Sequence, residues 1–280
     1  MLTTGAEHAP TASTPIQQTF FREKPVIAAE KLKQLYALML KLRLFAERSK
    51  NKAAKPQPLY CLEACQAGCV VDLRQEDCIV VLPDQHIGFV VAGRSATTSR
   101  FSVLANAGRD RIAIATGIAF ANRLQTKDNV VVVFTTTAEI ANAGGAIKFA
   151  DAESLPIIYL ILPPSGLGRA ARNLFRTVKH APVIPVDQSD AVAIYRVAYE
   201  AIDKARRGAG PTLIECMRFK LSATKKPQED PHCSDPIIYM ESYLRKRNLW
   251  QDDFRSGIEQ EFSPVLDRYL SSKRSHISSR

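Results

Sequence analysis

The stretch from Val130 to Leu162 most constrains what this chain can fold into. It opens with an apolar run, Val130-Val131-Val132-Val133-Phe134, and closes with another, Ile157-Ile158-Tyr159-Leu160-Ile161-Leu162, with room for a loop and a helix between them. Two buried strands joined by a helical crossover form a βαβ unit, whose strands run parallel. In an open parallel sheet, ligands bind in the crevice beyond the carboxyl ends of the strands. The residues that stand there are Thr135-Thr136-Thr137-Ala138-Glu139 after the first strand and Pro163-Pro164-Ser165-Gly166 after the second.

The rest of the chain supplies further strands and their covers. Residues 1–25 are rich in Thr, Ser, Pro and Ala without an apolar period, which predicts a mobile arm. From Ala28 to Ser49, Leu32, Leu35, Met39, Leu42 and Phe45 recur at helical spacing, with Lys31, Lys33, Lys41, Arg43 and Glu47 off the stripe. Pro56 and Pro58 end that helix, and Cys61 to Leu73 returns to helical spacing. Cys78 to Leu82 reads as a short strand, Thr97 to Asp110 has no pattern, and Ile112 to Leu124 is a small-sided helix. The crossover helix is expected at about Asn142 to Ala152, and Ser165 to His180 reads as a loop.

Val183 to Asp187 is a strand, followed by a helix capped by Ser189 or Asp190, with Val192, Tyr195, Ala198 and Ile202 as its inner stripe and Gly208 as its stop. Pro211 to Cys216 is the next strand. Asp235-Pro236 offers a cap and a first-turn proline for a helix to Leu244, and a last helix spans about Asp252 to Leu270. The alternation predicts an α/β fold, a parallel sheet covered by helices on both faces, as one domain over residues 26–270. Residues 271–280 read as a frayed basic tail.

Composition narrows the function classes. Hydrophobic residues make up 46% and charged residues 24%, ordinary values for a globular chain, and no apolar run is long enough to span a bilayer. The expectation is a cytoplasmic protein. A net charge of +10 would suit a polyanion, but the Lys and Arg residues are dispersed and no nucleic-acid fold signature accompanies them, so a solvated surface is the expected use. Six cysteines are scattered (Cys61, Cys65, Cys69, Cys78, Cys216 and Cys233), and the closest three share a four-residue helical spacing unlike a metal knuckle. They read as reduced, largely buried thiols, with no metal site.

In this order the elements resemble the α subunit of the thiamine-diphosphate-dependent E1 component of 2-oxo acid dehydrogenase complexes, from about Glu30 to Leu270. The resemblance rests on Leu35-Tyr36-Ala37-Leu38-Met39-Leu40-Lys41-Leu42-Arg43, on Leu62-Glu63-Ala64 with Gly68, on the βαβ unit with Leu155-Pro156, on Val186-Asp187, on Gly210-Pro211-Thr212-Leu213-Ile214-Glu215 and on Asp235-Pro236-Ile237. It implies the thiamine-diphosphate-binding type of fold and places the diphosphate and its magnesium ion in the crevice named above.

The family's Gly-Asp-Gly falls here on Phe134, Thr135 and Thr136, so a neutral hydroxyl stands in place of the metal-binding carboxylate. The second ligand position, an Asn in the family, is Pro164, which has no side-chain oxygen. Its Tyr-Arg-x-His is Pro83-Asp84-Gln85-His86, which keeps the His and puts an anion where a cation faced the diphosphate. The His-containing segment aligns with Lys220 to Lys225, including Thr224, and has no imidazole. Glu139 is the one acid near the first strand's end; it reads as a solvent-facing loop or first-turn helix residue, with cation binding as the alternative.

The resemblance therefore implies a subunit with a degenerate site, with no catalytic or metal-binding residue assigned, no cofactor expected, and His86 as the one candidate cofactor contact. Its partners would be a second copy in a homodimer or an E1β-like subunit in a hetero-oligomer, with neither nucleic acid nor membrane. The competing reading is an active E1α subunit that decarboxylates a 2-oxo acid and passes the acyl group to lipoyl groups, relying on a β-like partner for cofactor contacts. Whether the chain is an enzyme stays open on sequence alone.

Overall fold

A computed structural model describes residues 27–48, 62–81, 102–104, 110–162, 173, 178, 181–217 and 235–278. In chain order the elements are α1 (Ala29–Arg48), α2 (Glu63–Val70), β1 (Cys78–Val80), β2 (Ser102–Leu104), α3 (Arg111–Leu124), β3 (Val131–Thr136), α4 (Thr137–Asn142), α5 (Gly144–Ala152), β4 (Ile157–Leu162), β5 (Val183–Asp187), α6 (Ala191–Arg206), β6 (Thr212–Met217), α7 (Pro236–Lys246) and α8 (Phe254–Ser278).

The strands form one six-stranded sheet in the order β2-β1-β3-β4-β6-β5, and every neighbouring pair is parallel. Alternate residues of the central strands feed two cores. Val132, Phe134, Ile158, Leu160 and Leu162 face the layer of α1, α2, α6 and α7. Val131, Val133, Ile157, Tyr159 and Ile161 face the layer of α3 and α5. Burial on both faces is why these strands are apolar at every position rather than at every second one. The expected helix-covered parallel sheet is thus what the chain forms.

The α2 helix lies inside the first layer with all eight residues buried. Its approach to α6 is set by Gly68, where a Cβ would lie 2.7 Å from Ile194 Cγ2 and 3.2 Å from the backbone nitrogen of Tyr195. Only the absence of a side chain lets the two backbones come this close. Cys65, Cys69 and Cys216 are free and buried in this region, as the sequence suggested; Cys78 is half-buried, and burial pushes its thiol up to about 11. Thiols kept protonated in this way are poor nucleophiles. Cys61 and Cys233 lie outside the described residues.

Several expectations need correction. Lys41 and Arg43, placed off the apolar stripe of α1, are buried, because other elements cover that side. Lys41 Nζ lies 3.4 Å from Glu261 and 6.0 Å from the ring centre of Phe262, both on α8. Arg43 bonds Glu63 on α2 and both carboxylate oxygens of Asp235, at 2.6 and 2.9 Å. Asp235 also caps α7 by accepting from the Ile237 N–H at 2.8 Å, with Pro236 in the first turn as predicted. One buried guanidinium therefore joins three helices.

The patternless stretch before α3 contains the three-residue strand β2, which pairs with β1. The last helix does not stop at Leu270 but continues to Ser278. No Gly or Pro follows Leu270 to end it, and Ser, Lys and Arg all propagate a helix tolerably. No helix among the described residues is long and apolar enough to cross a membrane.

Candidate functional site

The topology itself locates the crevice. The β1 strand leads to β2 on one side of it, while β3 leads to β4 on the other, so the connections diverge at the β1/β3 boundary. Neighbouring strands whose connections part in opposite directions leave a cleft at their carboxyl ends. The β3 side of this cleft is formed by Thr135, Thr136 and α4; the β1 side leads into Pro83, Asp84 and His86, which lie outside the described residues. Outside them too are Pro164, most of Ser165 to His180, and Lys220 to Lys225 with Thr224.

The end of β3 is built around Glu139. Thr136 is the N-cap of α4, with the extended backbone (φ −115°, ψ 162°) that the position requires. Its hydroxyl accepts from the Glu139 N–H at 3.4 Å, and its own N–H donates to Glu139 Oε2 at 3.0 Å. This reciprocal pair is a capping box. It converts Thr137–Asn142, expected as loop, into a helical turn, separated at Ala143 from α5.

Thr135, fully buried, donates its hydroxyl to the same Oε2 at 3.0 Å. The other carboxylate oxygen, Oε1, accepts from Arg111 Nη2. Glu139 is consequently a first-turn helix residue, one of the two readings the sequence allowed, and it is not free in solvent: Oε2 takes the Thr135 hydroxyl, the Thr136 N–H and the Thr136 hydroxyl, and Oε1 takes a guanidinium. Its side chain is 31% exposed, whereas that of Arg111 is 2% exposed.

Arg111 was not singled out from the sequence, although a signal existed. It is the first residue of α3, where the helix dipole disfavours a cation. An Arg in that place points to an acidic partner from elsewhere in the fold. The Thr136-x-x-Glu139 spacing likewise carried the capping-box signature.

Further along α3, in the core of that layer, Thr116 donates its hydroxyl to the carbonyl of Ile112 at 2.7 Å and stands 3.4 Å from the Tyr159 hydroxyl of β4. Burial pushes the Tyr159 hydroxyl well above its ordinary range, so it stays protonated at any physiological pH. The described part of the crevice therefore offers three kinds of group: hydroxyls, one carboxylate already engaged by four hydrogen bonds, and one guanidinium. None of the described side chains here is a free carboxylate or imidazole suited to proton transfer. Among the described residues no group of three or more His, Cys, Asp or Glu side chains is placed to hold a metal ion.

Comparison with known proteins agrees with this architecture. The family model "Dehydrogenase E1 component" matches residues 95–267. The 2-oxoisovalerate dehydrogenase subunit alpha of Bacillus subtilis is 28% identical over 177 residues, which covers 55% of this chain and 53% of the relative. The pyruvate dehydrogenase E1 component subunit alpha of Staphylococcus aureus is 30% identical over 162 residues, covering 50% of this chain and 44% of the relative. That of Staphylococcus epidermidis is 28% identical over 160 residues, covering 49% and 43%. The chain thus spans about half the length of the curated relatives it matches.

Proposed function

Because the chain belongs to the dehydrogenase E1 component family, we propose that it is an E1α-like subunit that keeps the fold without holding thiamine diphosphate and magnesium, and acts by association. The observation that carries this reading is the state of the β3 terminus. Thr135, the position that matches the family's metal-binding Asp, is a buried hydroxyl committed to Glu139. Among the described residues, the one carboxylate within reach is bonded to Thr135, Thr136 and Arg111. A magnesium ion prefers charged oxygen ligands in an octahedral set and dehydrates reluctantly. Bringing it beside a buried guanidinium would add repulsion without supplying such a set. These residues do not fit the ion.

In this reading the chain assembles in the cytoplasm with an E1β-like subunit, or with a second copy of itself. Sedimentation of the full chain, alone and mixed with the E1β-like protein of its own organism, tests it. A stable oligomer of either kind supports the subunit role; a chain that sediments as a monomer in both experiments contradicts it.

A second reading is favoured by the names of the relatives, two of which are pyruvate dehydrogenase α subunits. In it the chain takes part in 2-oxo acid oxidation, with cofactor contacts drawn from the β-like partner. Substrate-dependent oxidation of pyruvate or 2-oxoisovalerate by the mixture, absent from the partner alone, would establish it over the first.

A further inference from the structure

The Arg111–Glu139 pair is incomplete in a specific way. A guanidinium and a carboxylate usually meet fork to fork, with two parallel hydrogen bonds. Here Arg111 gives only Nη2 to Glu139 Oε1, because Oε2 is taken by Thr135 and Thr136. The second amino group, Nη1, is buried and has no hydrogen-bond partner among the described residues. A buried donor left unmade costs free energy, more so on a charged group, and calls for an acceptor.

A second feature points the same way. Arg111 opens the fourteen-residue helix α3, and the N-cap residue Asp110 makes no side-chain capping bond. The first turn of such a helix presents backbone N–H groups and the positive end of the macrodipole. An uncapped helix start and an orphaned guanidinium amino group therefore meet at one place, beside the carboxyl end of β3. Its edge toward Glu139 reaches solvent, since that side chain is 31% exposed.

We propose that Arg111 Nη1 and the N-terminal turn of α3 form a metal-independent site for a small oxyanion, a phosphate or a carboxylate. The planar fork of Arg suits both. The anion would complete the second half of the fork that Glu139 leaves open. The net positive charge of the chain, +10, draws anions toward it at low salt. This inference rests on the local geometry and not on the proposed absence of thiamine diphosphate.

Calorimetric titration of the full chain in the presence of a chelator tests it, with inorganic phosphate, pyrophosphate and acetate as separate probes. At least one should bind with one-to-one stoichiometry and a Kd below about 1 mM. Acetate alone binding identifies a carboxylate site; phosphate or pyrophosphate identifies a phosphate site. Arg111→Gln should weaken binding by about tenfold or more, since it removes the charged donor. Should that variant fold poorly, Glu139→Gln gives an independent reading. It keeps the capping capacity of its position but removes the competing carboxylate, so oxyanions should bind more tightly and raise its melting temperature more than that of the parent.

No heat and no thermal shift with any probe up to about 10 mM, in either the parent or Glu139→Gln, overturns the proposal. Equal binding by Arg111→Gln also overturns it. Binding that arises only on adding magnesium overturns it and counts against the proposed function as well, whereas a complete lack of binding leaves that function standing.

Discussion

Gly68 shows how a single residue fixes the distance between layers. A methyl group there would overlap Ile194 and press on the backbone of Tyr195, so neither a rotamer change nor a small side-chain shift relieves it. Gly68→Ala should destabilise the fold by about 1–3 kcal/mol, the usual cost of overpacking, despite the better helix propensity of Ala. Denaturant unfolding monitored by far-UV circular dichroism measures it; an unchanged midpoint would contradict the close approach. Asp235 behaves differently. Burial works against its charge, but Arg43 and the Ile237 N–H hold its carboxyl below the usual carboxylate range. Its folded pKa is thus lower than its unfolded one, so its contribution is present above about pH 4 and is lost as pH falls through the lower folded value. Asp235→Asn keeps the cap and loses the ion pair, so it should cost about 2 kcal/mol at neutral pH. The gap between variant and parent should narrow as the pH drops below about 4 in a series of melting curves.

The roles of Gly68 and Arg43 were only partly legible in the sequence. The apolar stripe of α1 gave its inner face correctly. Periodicity could not show that α2, α7 and α8 would also cover the opposite side and draw in Lys41 and Arg43, because burial by a distant element leaves no trace in local spacing.

At the scale of elements, strands buried on both faces were legible because continuous apolar runs have no other use in a chain of this composition. The two-residue disagreement at the end of β3 has a local cause. Thr135 and Thr136 are polar, so the apolar run stops at Phe134, yet both continue the ladder opposite Ile161 and Leu162. The three-residue strand β2 has no period to detect, and its pairing with β1 is long-range. The capping box that starts α4 was readable and predicts its own test. Thr136→Ala removes the hydroxyl that accepts from Glu139 N–H, and should cost about 1 kcal/mol, seen as a fall of a few degrees in melting temperature. Glu139→Gln should cost more than a cap alone, because Arg111 is left as a buried cation without its counter-ion. If the two variants melt at the same temperature, the ion pair contributes nothing beyond the cap.

On the scale of the whole molecule, strand order turns two ordinary strand ends into a cleft, since β1 leads on to β2 at one side and β3 to β4 at the other. The sequence located this cleft from one βαβ unit, and the family match over residues 95–267 agrees with the architecture around it. What the cleft holds was less legible. Thr135 could be placed opposite a missing carboxylate by alignment, but the engagement of Glu139 by Arg111 depends on α3 returning to the end of β3. Two residues 28 positions apart carry no mutual signal in sequence spacing. The β1 side, with Asp84 and the candidate contact His86, lies outside the described residues and stays a reading of the sequence.

The proposed function requires that this E1α-like fold does not hold thiamine diphosphate with magnesium. Calorimetric titration of the full chain with thiamine diphosphate in the presence of magnesium tests it most directly. No magnesium-dependent heat of binding is expected at ligand concentrations up to about 1 mM. Magnesium-dependent binding with a Kd in the micromolar range would contradict it.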